Sequence, residues 1–374
     1  MLKLVVTVFL LIVSTCSGQR RNLKRWQSLS QPASRGEAFP EQWLDQIRDH
    51  FDATNTARWP QRYWENLEEY RGEGLAFLHI GGEAEASPGW LNYGAWYKWA
   101  QENGAAMFVL EHRFYGQSKP TEDMSTENMK FLSSRQGLAD AGHFISAMNQ
   151  RYNLSTWITF GGSYPGSLSA WMRLRFPHLV TGSVSSSGPL LAKLDYYEYL
   201  QGVARALDTT GPGCNLAIRE AVTRLVRMVQ TKETWQELSR KFKLCSSLDG
   251  VNRLDVMNLE YLLFEILGFT VQFDDSNKTN IATLCALMTN TLPNVSLPDP
   301  VDRLAYVNAM KMKLTGEQCV DHTYQTFLRA LTNITWPPGG SDQKYPKIWS
   351  RQWTWQSCTE FGWYPTAYPV RIIL

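Results

Sequence analysis

The chain has 374 residues and a mass of 42.8 kDa, a length typical of about two to three domains. Hydrophobic residues make up 44% of the chain and charged residues 19%, which excludes a wholly disordered protein. Lysine and arginine total 37 against 35 aspartates and glutamates, so the net charge is +2. This balance gives no support for a nucleic-acid partner or for binding to an anionic membrane surface.

The N-terminal segment has the layout of a secretory signal peptide. Lys3 gives a positive start, residues 4–13 form an apolar run, and small residues occupy positions 14–18. The run is short for a bilayer span, although an uncleaved anchor is the alternative interpretation. No second run of about 20 apolar residues follows. We therefore expect a mature chain in the secretory pathway, without stable membrane insertion.

Sequons and cysteines are consistent with an oxidising compartment. Without Cys16, which lies in the predicted signal peptide, five cysteines remain, an odd number where cysteines usually pair. The sequence has no CxxC motif and no histidine–cysteine cluster at metal-ligand spacing, so we assign no metal and expect no cofactor. Four N-x-S/T sequons predict glycosylation at Asn153, Asn277, Asn294 and Asn333.

Three short apolar runs, each closed by a turn signal, predict buried strands of a parallel sheet. They cover residues 75–80, 105–110 and 156–160, and a glycine pair follows the first and the third. Helical patterns at residues 90–103 and 137–150 lie between them. Because strands that alternate with helices indicate βαβ units, the sequence predicts an α/β fold.

The pattern becomes mostly helical from about residue 195 to residue 331. Residues 217–229 place apolar side chains at spacings of three and four, and residues 258–273 form a second apolar stretch. Four of the five remaining cysteines lie in this region. We predict a signal peptide at residues 1–18, a sheet domain at 19–189, a disulfide-tied helical insertion at 190–345 and a return to the sheet domain at 346–374.

The most informative motif surrounds Ser163. A strand pattern ends in glycines, the serine follows, and a helix pattern then runs from Pro165 to Phe176. This is the strand–turn–helix setting of a nucleophile elbow, and it makes the backbone N–H of Tyr164 the expected oxyanion donor. Proline replaces the last glycine of the usual G-x-S-x-G pattern, which the first turn of a helix tolerates. The alternative is a glycine-rich turn with an ordinary serine.

Seven spaced motifs support a family resemblance: Asp49-His-Phe51, Gln61-Arg-Tyr63, His79-Ile-Gly-Gly-Glu83, Glu111-His-Arg-Phe-Tyr-Gly-Gln-Ser118, Gly161-Gly-Ser-Tyr-Pro-Gly-Ser-Leu168, Gly268-Phe-Thr-Val-Gln-Phe273 and Arg351-Gln-Trp-Thr-Trp-Gln-Ser-Cys-Thr-Glu-Phe-Gly362. In this order they resemble the S28 peptidases, a family of lysosomal serine carboxypeptidases and dipeptidyl-peptidases. The resemblance implies an α/β-hydrolase core with a helical insertion, acyl-enzyme chemistry on short peptides and a Ser–Asp–His triad. It also implies endosomal or lysosomal vesicles as an alternative destination to secretion.

The resemblance also implies a substrate pocket. Gly81, Gly82 and Glu83 follow the first predicted strand and are similar to pocket-forming residues, with Glu83 suited to hold the amino terminus of a peptide. An acidic residue at a helix start is the alternative interpretation of Glu83. Trp363 follows the Cys-Thr-Glu motif and is a second candidate for the pocket, with plain core packing as its alternative.

The cysteine pattern of the family implies two disulfides, Cys214–Cys285 and Cys245–Cys319. Cys358 is then left over, and its partner in the family would lie further along the chain.

The triad is expected to be incomplete in this chain. In the α/β-hydrolase fold the Asp and His follow the late strands, and no histidine follows His322. His322 lies beside an aspartate in the insertion and is predicted at the surface, and His178 lies about 20 Å along the helix from Ser163. His112 follows a strand but is not favoured as a substitute base. We therefore expect the chain to lack the Asp and His of the triad and the last core strands.

Three hypotheses follow for the function. The first is a serine exopeptidase with Ser163 as the nucleophile, and the second is a non-catalytic isoform that binds peptides or a protein partner. The third, an α/β-hydrolase esterase, is disfavoured because the sequence has no HGGG-type oxyanion motif. Peptides are the expected substrates, and a homodimer is left open.

Overall fold

The structure, a computed structural model, describes residues 39–248, 252–274, 280–336 and 349–366. The predicted signal peptide and Asn277 lie outside these residues. The chain divides into two compact units. The sheet unit comprises the described residues of 27–192 and 331–361, and the helical unit comprises those of 193–330 and 362–374.

The sheet unit is built on six strands: β1 (Gln42–Ile47), β2 (Arg58–Asn66), β3 (Leu75–Ile80), β4 (Ala106–Leu110), β5 (Thr156–Gly162) and β6 (Gly182–Ser186). Their spatial order is β1-β2-β4-β3-β5-β6. Strands β3 to β6 are parallel, and β3 lies between β4 and β5. The three strands that the sequence predicted are therefore present, and the prediction of the α/β class is confirmed.

The sheet is mixed, because its first two strands, which the sequence did not reveal, pair in antiparallel fashion. β1 pairs antiparallel with β2, and β2 pairs antiparallel with β4. Both strands mix polar residues with aromatic ones, as in the β2 sequence Arg58-Trp-Pro-Gln-Arg-Tyr-Trp-Glu-Asn66. In β2 the polar residues Gln61 and Arg62 are themselves buried, so the strand forms no continuous apolar run.

The helices in chain order are α1 (Ala95–Asn103), α2 (Thr126–Met129), α3 (Ser134–Tyr152), α4 (Tyr164–Arg175), α5 (Glu198–Asp208), α6 (Pro212–Gln230), α7 (Trp235–Phe242), α8 (Arg253–Gln272), α9 (Ile281–Met288), α10 (Pro300–Thr315), α11 (Tyr324–Thr332) and α12 (Trp349–Gln356). Short 3₁₀ turns cover Pro88–Asn92 and Lys232–Thr234, and a π-helical turn covers Ser357–Phe361. The helix predicted at residues 90–103 is interrupted, because Gly94 adopts φ 90° before α1 begins.

The faces of β4 show how both sides of the sheet are covered. Met107 and Val109 join a buried cluster that includes Trp96 of α1. Phe108, between them in sequence, packs on the other side against Phe144 of α3, with 5.7 Å between ring centroids. A strand buried on both faces reads as a continuous apolar run, which is why the sequence revealed it.

The helical unit contains α5 to α10, most of α11, and one large apolar cluster. Disulfides Cys214–Cys285 and Cys245–Cys319 are both formed, as predicted. Cys358, in the sheet unit, is exposed and belongs to neither disulfide.

Two short strands complete the helical unit. β7 (Lys193–Asp195) and β8 (Gly362–Tyr364) pair in parallel as a separate two-stranded sheet. The sequence did not reveal either strand, because three residues are too few for a recognisable alternation. No helix among the described residues is both long and apolar enough to cross a membrane.

Candidate active site

Ser163 lies at the carboxyl end of β5, immediately before α4, with its side chain exposed. Its backbone adopts φ 63° and ψ −135°, a conformation that a residue with a Cβ rarely takes. Backbone hydrogen bonds of its N–H and of its carbonyl hold Ser163 in this conformation. The Ser163 N–H donates to Ser186 O at 3.0 Å, and the Ser163 carbonyl accepts from Gly166 N at 2.8 Å. The strain and the exposure are those of a nucleophile elbow.

Two glycines allow the chain to pack closely around this turn. A Cβ atom on Gly161 would lie 2.1 Å from the carbonyl oxygen of Pro165, and one on Gly82 would lie 2.3 Å from the ring of the same proline. Gly81 lies behind the turn and donates its N–H to Leu110 O at 2.7 Å. Gly82 therefore contacts the first turn of the helix that begins beside the nucleophile.

The first turn of α4 faces the Ser163 side chain. As the first residue of the helix, Tyr164 has a backbone N–H that no intrahelical carbonyl can accept. Together with the positive end of the helix dipole, this N–H favours negative charge next to the Ser163 hydroxyl. The role of Tyr164 as the oxyanion donor stays a prediction.

The Ser163 hydroxyl donates a hydrogen bond to Glu83 Oε1 at 3.1 Å. Glu83 is half-buried in the loop after β3. Burial raises the pKa of the Glu83 carboxyl, and the hydrogen bond from Ser163 acts in the opposite direction. Of the residues in the described segments, Glu83 is the one whose side chain is bonded to the Ser163 hydroxyl.

A buried ion pair fixes the loop that carries Glu83. Arg62 binds Glu111 through two hydrogen bonds of 3.1 and 2.6 Å, and it also donates to Glu85 at 2.6 Å. Glu111 in turn accepts from the backbone N–H of Ala86 at 3.1 Å. The loop is thus held two and three residues beyond Glu83, which restricts where the Glu83 carboxyl can point.

A second polar network lies under the nucleophile. Tyr115 donates to Gln356 Oε1 at 2.6 Å, and Gln356 Nε2 donates to the Tyr164 hydroxyl at 3.0 Å. The same hydroxyl lies 3.1 Å from His112 Nε2, and His112 Nδ1 lies 2.8 Å from the carbonyl oxygen of Arg113. The Tyr164 side chain is therefore tied to two other segments of the sheet unit, those that carry His112 and Gln356.

The carbonyl oxygen of Arg113, which ends this network, determines which atom donates in the hydrogen bonds of His112. A carbonyl oxygen only accepts, so we assign the ring proton of His112 to Nδ1 and leave Nε2 to accept from Tyr164. Burial lowers the pKa of His112 to about 4, which keeps the ring neutral. His112 is thus committed to Tyr164 and does not contact the Ser163 hydroxyl.

The other two histidines considered as bases are also accounted for. His178 is exposed beyond the end of α4, as expected. The prediction that His322 lies at the surface is wrong, because its side chain is fully buried in the helical unit. The adjacent disulfide at Cys319 and the bridge of Val320 to Leu244 hold this segment against the interior.

Other predicted site residues are placed but not assigned a function by the structure. Trp363 lies in β8 of the helical unit with φ 53°, and its place in the substrate pocket stays a prediction. Asn153, Asn294 and Asn333 are exposed, as glycan acceptors must be. Their glycosylation also stays a prediction.

Sequence reasoning gave no role to Gln356, Tyr115, Glu111 and Arg62. All four lie inside motifs that supported the family resemblance, which was the available signal. Their roles depend on contacts between distant segments: Tyr115 and Gln356, for example, are 241 positions apart. A local pattern cannot reveal such a pairing.

A strained, exposed serine between a parallel strand and its following helix is typical of serine hydrolases of the α/β class. The chain belongs to the serine carboxypeptidase S28 family, whose family model matches residues 46–370. The family resemblance found in the sequence is thereby confirmed, and so is the prediction of a hydrolase at the level of the family.

Among curated proteins, the chain is similar to a putative serine protease of Caenorhabditis elegans, with 34% identity over 357 residues, 90% of this chain and 65% of that protein. It is similar to the thymus-specific serine protease of Mus musculus, with 35% identity over 342 residues, 88% of this chain and 65% of that protein. The lysosomal Pro-X carboxypeptidase of Pongo abelii is 26% identical over 338 residues, 85% of this chain and 64% of that protein. The chain thus spans somewhat less than two thirds of the length of these relatives.

Among solved structures, the proline iminopeptidase of Mycobacterium smegmatis matches with a TM-score of 0.34 and 14% identity, covering 75% of this chain and 88% of that one. A probable hydrolytic enzyme from Pseudomonas aeruginosa matches with a TM-score of 0.29 and 14% identity, covering 77% of this chain and 72% of that one.

Proposed function

We propose that this chain is a serine peptidase of short peptides in which Ser163 forms the acyl-enzyme. The observation that carries the proposal is the backbone of Ser163, held at φ 63° by its own hydrogen bonds with the hydroxyl exposed. Backbone strain of this kind costs about 1–3 kcal/mol and persists where the surrounding structure imposes it, typically at active sites.

The chemistry follows from the geometry. Ser163 Oγ attacks the carbonyl carbon of the scissile amide and forms an ester, the C–N bond breaks, and the proton lost by the Ser163 hydroxyl ends on the departing amine. The Tyr164 N–H and the positive end of α4 stabilise the oxyanion that forms in between. Water then cleaves the ester and restores the serine hydroxyl. Gly81 and Gly82 shape one wall of the site, and Trp363 is proposed to line the pocket.

A specific observation favours a second candidate, a chain that binds peptides without cleaving them. The Ser163 hydroxyl is bonded to a carboxyl group, and none of the six histidines, all within the described segments, hydrogen-bonds to it. A serine nucleophile normally needs an adjacent base to become reactive. The second candidate therefore predicts binding of peptides in the absence of turnover.

A substrate panel separates these proposals from the esterase alternative. The purified full chain is assayed on short peptide amides and on p-nitrophenyl esters of short acyl chains, with Ser163→Ala as the inactive control and Ser146→Ala, on α3, as the matched control. Cleavage of the peptide amides that Ser163→Ala abolishes and Ser146→Ala leaves unchanged supports the peptidase. Cleavage of the esters alone supports an esterase, and binding of peptides without any cleavage supports the second candidate.

We also propose that the chain matures in the secretory pathway and acts outside the cell or in an endosomal or lysosomal vesicle. The two disulfides and the three exposed sequons support this proposal. Expression in a secreting eukaryotic host, followed by N-glycosidase digestion, tests it. A fall in mass on digestion is expected, and unglycosylated protein confined to the cytosol contradicts it.

A further inference from the structure

The loop after β3 places a carboxyl group at proton-transfer distance from the candidate nucleophile. Ser163 Oγ donates to Glu83 Oε1 at 3.1 Å, and a general base needs a heavy-atom distance of about 2.6–3.2 Å. None of the six histidines, all within the described segments, hydrogen-bonds to Ser163. Within these segments, Glu83 is therefore the group positioned to receive the proton of the Ser163 hydroxyl.

We propose that Glu83 is the general base of this site, which takes the proton of the Ser163 hydroxyl and passes it to the departing amine. This proposal rests on Ser163 being the nucleophile of a peptidase. It gives the chain a serine–glutamate pair for the chemistry that a serine–histidine pair performs in many hydrolases.

A single carboxyl group accounts for every proton in the cycle. When Ser163 Oγ bonds to the carbonyl carbon, its proton passes to Glu83 Oε1. The neutral carboxyl gives that proton to the amine nitrogen as the C–N bond breaks, which leaves an ester on Ser163. Glu83 then takes a proton from the attacking water and returns it to Ser163 Oγ as the ester breaks. The carboxyl group begins and ends the cycle ionised.

The loop holds this carboxyl group against the hydroxyl. The Glu83 carboxyl accepts a hydrogen bond from its own backbone N–H, in addition to the one from Ser163. The loop is also anchored at Glu85, which pairs with Arg62, and at Ala86, whose N–H donates to Glu111. The two oxygens of a carboxylate are equivalent as acceptors, so rotation of the group presents a base to the same hydroxyl.

The surroundings favour proton uptake by Glu83. Burial raises the pKa of its carboxyl, whereas the hydrogen bonds from its own N–H and from Ser163 act in the opposite direction. The nearby guanidinium of Arg62, which would lower the pKa by pairing with Glu83, is instead shared among Glu41, Glu85 and Glu111. A carboxylate with a raised pKa is a stronger base than one in water, because it binds a proton more tightly.

The first experiment measures the reactivity of Ser163 and does not require peptide turnover. The rate of labelling by a fluorophosphonate probe is followed in the folded full chain, in wild type and in variants of Glu83. A general base contributes about 100- to 10,000-fold, so Glu83→Gln is expected to slow labelling at least about hundredfold. Glu83→Asp keeps a carboxylate and should retain part of the rate. Glu127→Gln removes the same charge at an exposed position of α2 and is expected to change nothing.

The pH profile of labelling separates a base from a residue that only shapes the loop. In wild type the rate should rise with pH as Glu83 loses its proton, with a midpoint above the ordinary carboxyl pKa of 4.5 because burial raises the pKa. Glu83→Gln should lack this rise, whereas a purely structural role would lower the rate equally at every pH. Unchanged labelling of folded Glu83→Gln, or a rise with pH that survives in it, overturns the proposal. A flat profile in wild type overturns it as well, whether or not the variant folds.

Peptide cleavage measured in parallel keeps the two proposals distinguishable. Wild type and Glu83→Gln are tested on glycyl-leucyl-aminomethylcoumarin and on its N-acetylated form. Labelling that depends on Glu83 without any cleavage contradicts the peptidase and supports the base. Cleavage together with labelling that is independent of Glu83 supports the peptidase and contradicts the base. A loss in Glu83→Gln that is confined to the substrate with a free amino group also contradicts the base, and absence of labelling in folded wild type contradicts both proposals.

Discussion

The two compact units are stabilised in different ways. The sheet unit buries charges, such as the pair of Arg113 and Asp140, and it holds Ser163, one of four residues of this unit that adopt a positive φ without being glycine. The helical unit has a large apolar cluster and two disulfides that join residues 71 and 74 positions apart. A hydrogen bond to a charged group has a preferred geometry and so orients the side chains that make it, whereas apolar burial and cross-links stabilise a unit without orienting particular side chains. Ser163 lies in the unit that contains the Arg113–Asp140 pair.

Removal of a disulfide is expected to have the largest effect, and it should be confined to the helical unit. A loop of about 70 residues predicts a loss of about 4 kcal/mol, because cross-linking restricts the unfolded chain. The variant Cys245→Ser with Cys319→Ser is compared with wild type by denaturant unfolding and by hydrogen exchange resolved along the chain. An equal increase of hydrogen exchange in the sheet unit would show that the effect of the disulfide is not confined to the helical unit.

Loss of the buried charge of Asp140 is expected to destabilise the sheet unit. Asp140 accepts from Arg113 at 2.6 and 2.5 Å and lies 2.8 Å from His50 Nε2, all out of water. Asp140→Asn should cost about 3 kcal/mol, since it leaves a buried guanidinium without its counter-charge. Asp45→Asn breaks the exposed pair with Arg58 and should cost at most about 1 kcal/mol. Similar losses of unfolding free energy in the two variants would show that the buried Arg113–Asp140 pair stabilises the unit no more than the exposed pair does.

Acid should weaken the sheet unit through His112. Burial lowers its pKa to about 4, so the unfolded chain binds more protons than the folded one between about pH 4 and pH 6.5. The contribution of His112 to the free energy of unfolding is therefore complete above pH 6.5. It decreases as the pH falls, by about 3 kcal/mol in all. Unfolding free energies measured at several pH values should show a smaller slope for His112→Gln and an unchanged slope for the exposed His178→Gln. An identical dependence of the unfolding free energy on pH in all three proteins would show that His112 is not its cause.

The smallest expected effect concerns Ser163 itself. Glycine tolerates φ 63°, so Ser163→Gly should relieve strain and offset the flexibility it adds to the unfolded chain, leaving the sheet unit up to about 1 kcal/mol more stable than Ser163→Ala. Both variants lack the hydroxyl, which makes them a matched pair for denaturant unfolding. A less stable glycine variant would mean that the backbone at this position is not strained.

Prediction from sequence succeeded where the information was local. Strands β3, β4 and β5 were predicted because burial on both faces makes them apolar runs, and Ser163 because its turn needs glycines nearby. β1 and β2 were missed because polar residues interrupt their apolar ones, although Gln61 and Arg62 of β2 are buried. The exposure of His322 was misjudged, since a neighbouring aspartate says nothing about what packs around the residue.

Contacts between distant segments were out of reach. The Glu83–Ser163 hydrogen bond joins residues 80 positions apart, and the Gln356–Tyr164 bond joins residues 192 positions apart. Each needs the completed sheet to bring its partners together. The sequence could therefore single out Ser163 as a candidate nucleophile but not the groups that hold and surround it.

The proposed function depends on Ser163 acting as a nucleophile. The most direct test is to treat the folded full chain with a fluorophosphonate probe and to map the adduct by mass spectrometry, with Ser163→Ala as the control. The account predicts a single adduct on Ser163 that is absent from the variant. Absence of an adduct on folded wild-type chain, or an adduct on another serine that persists in Ser163→Ala, would contradict it.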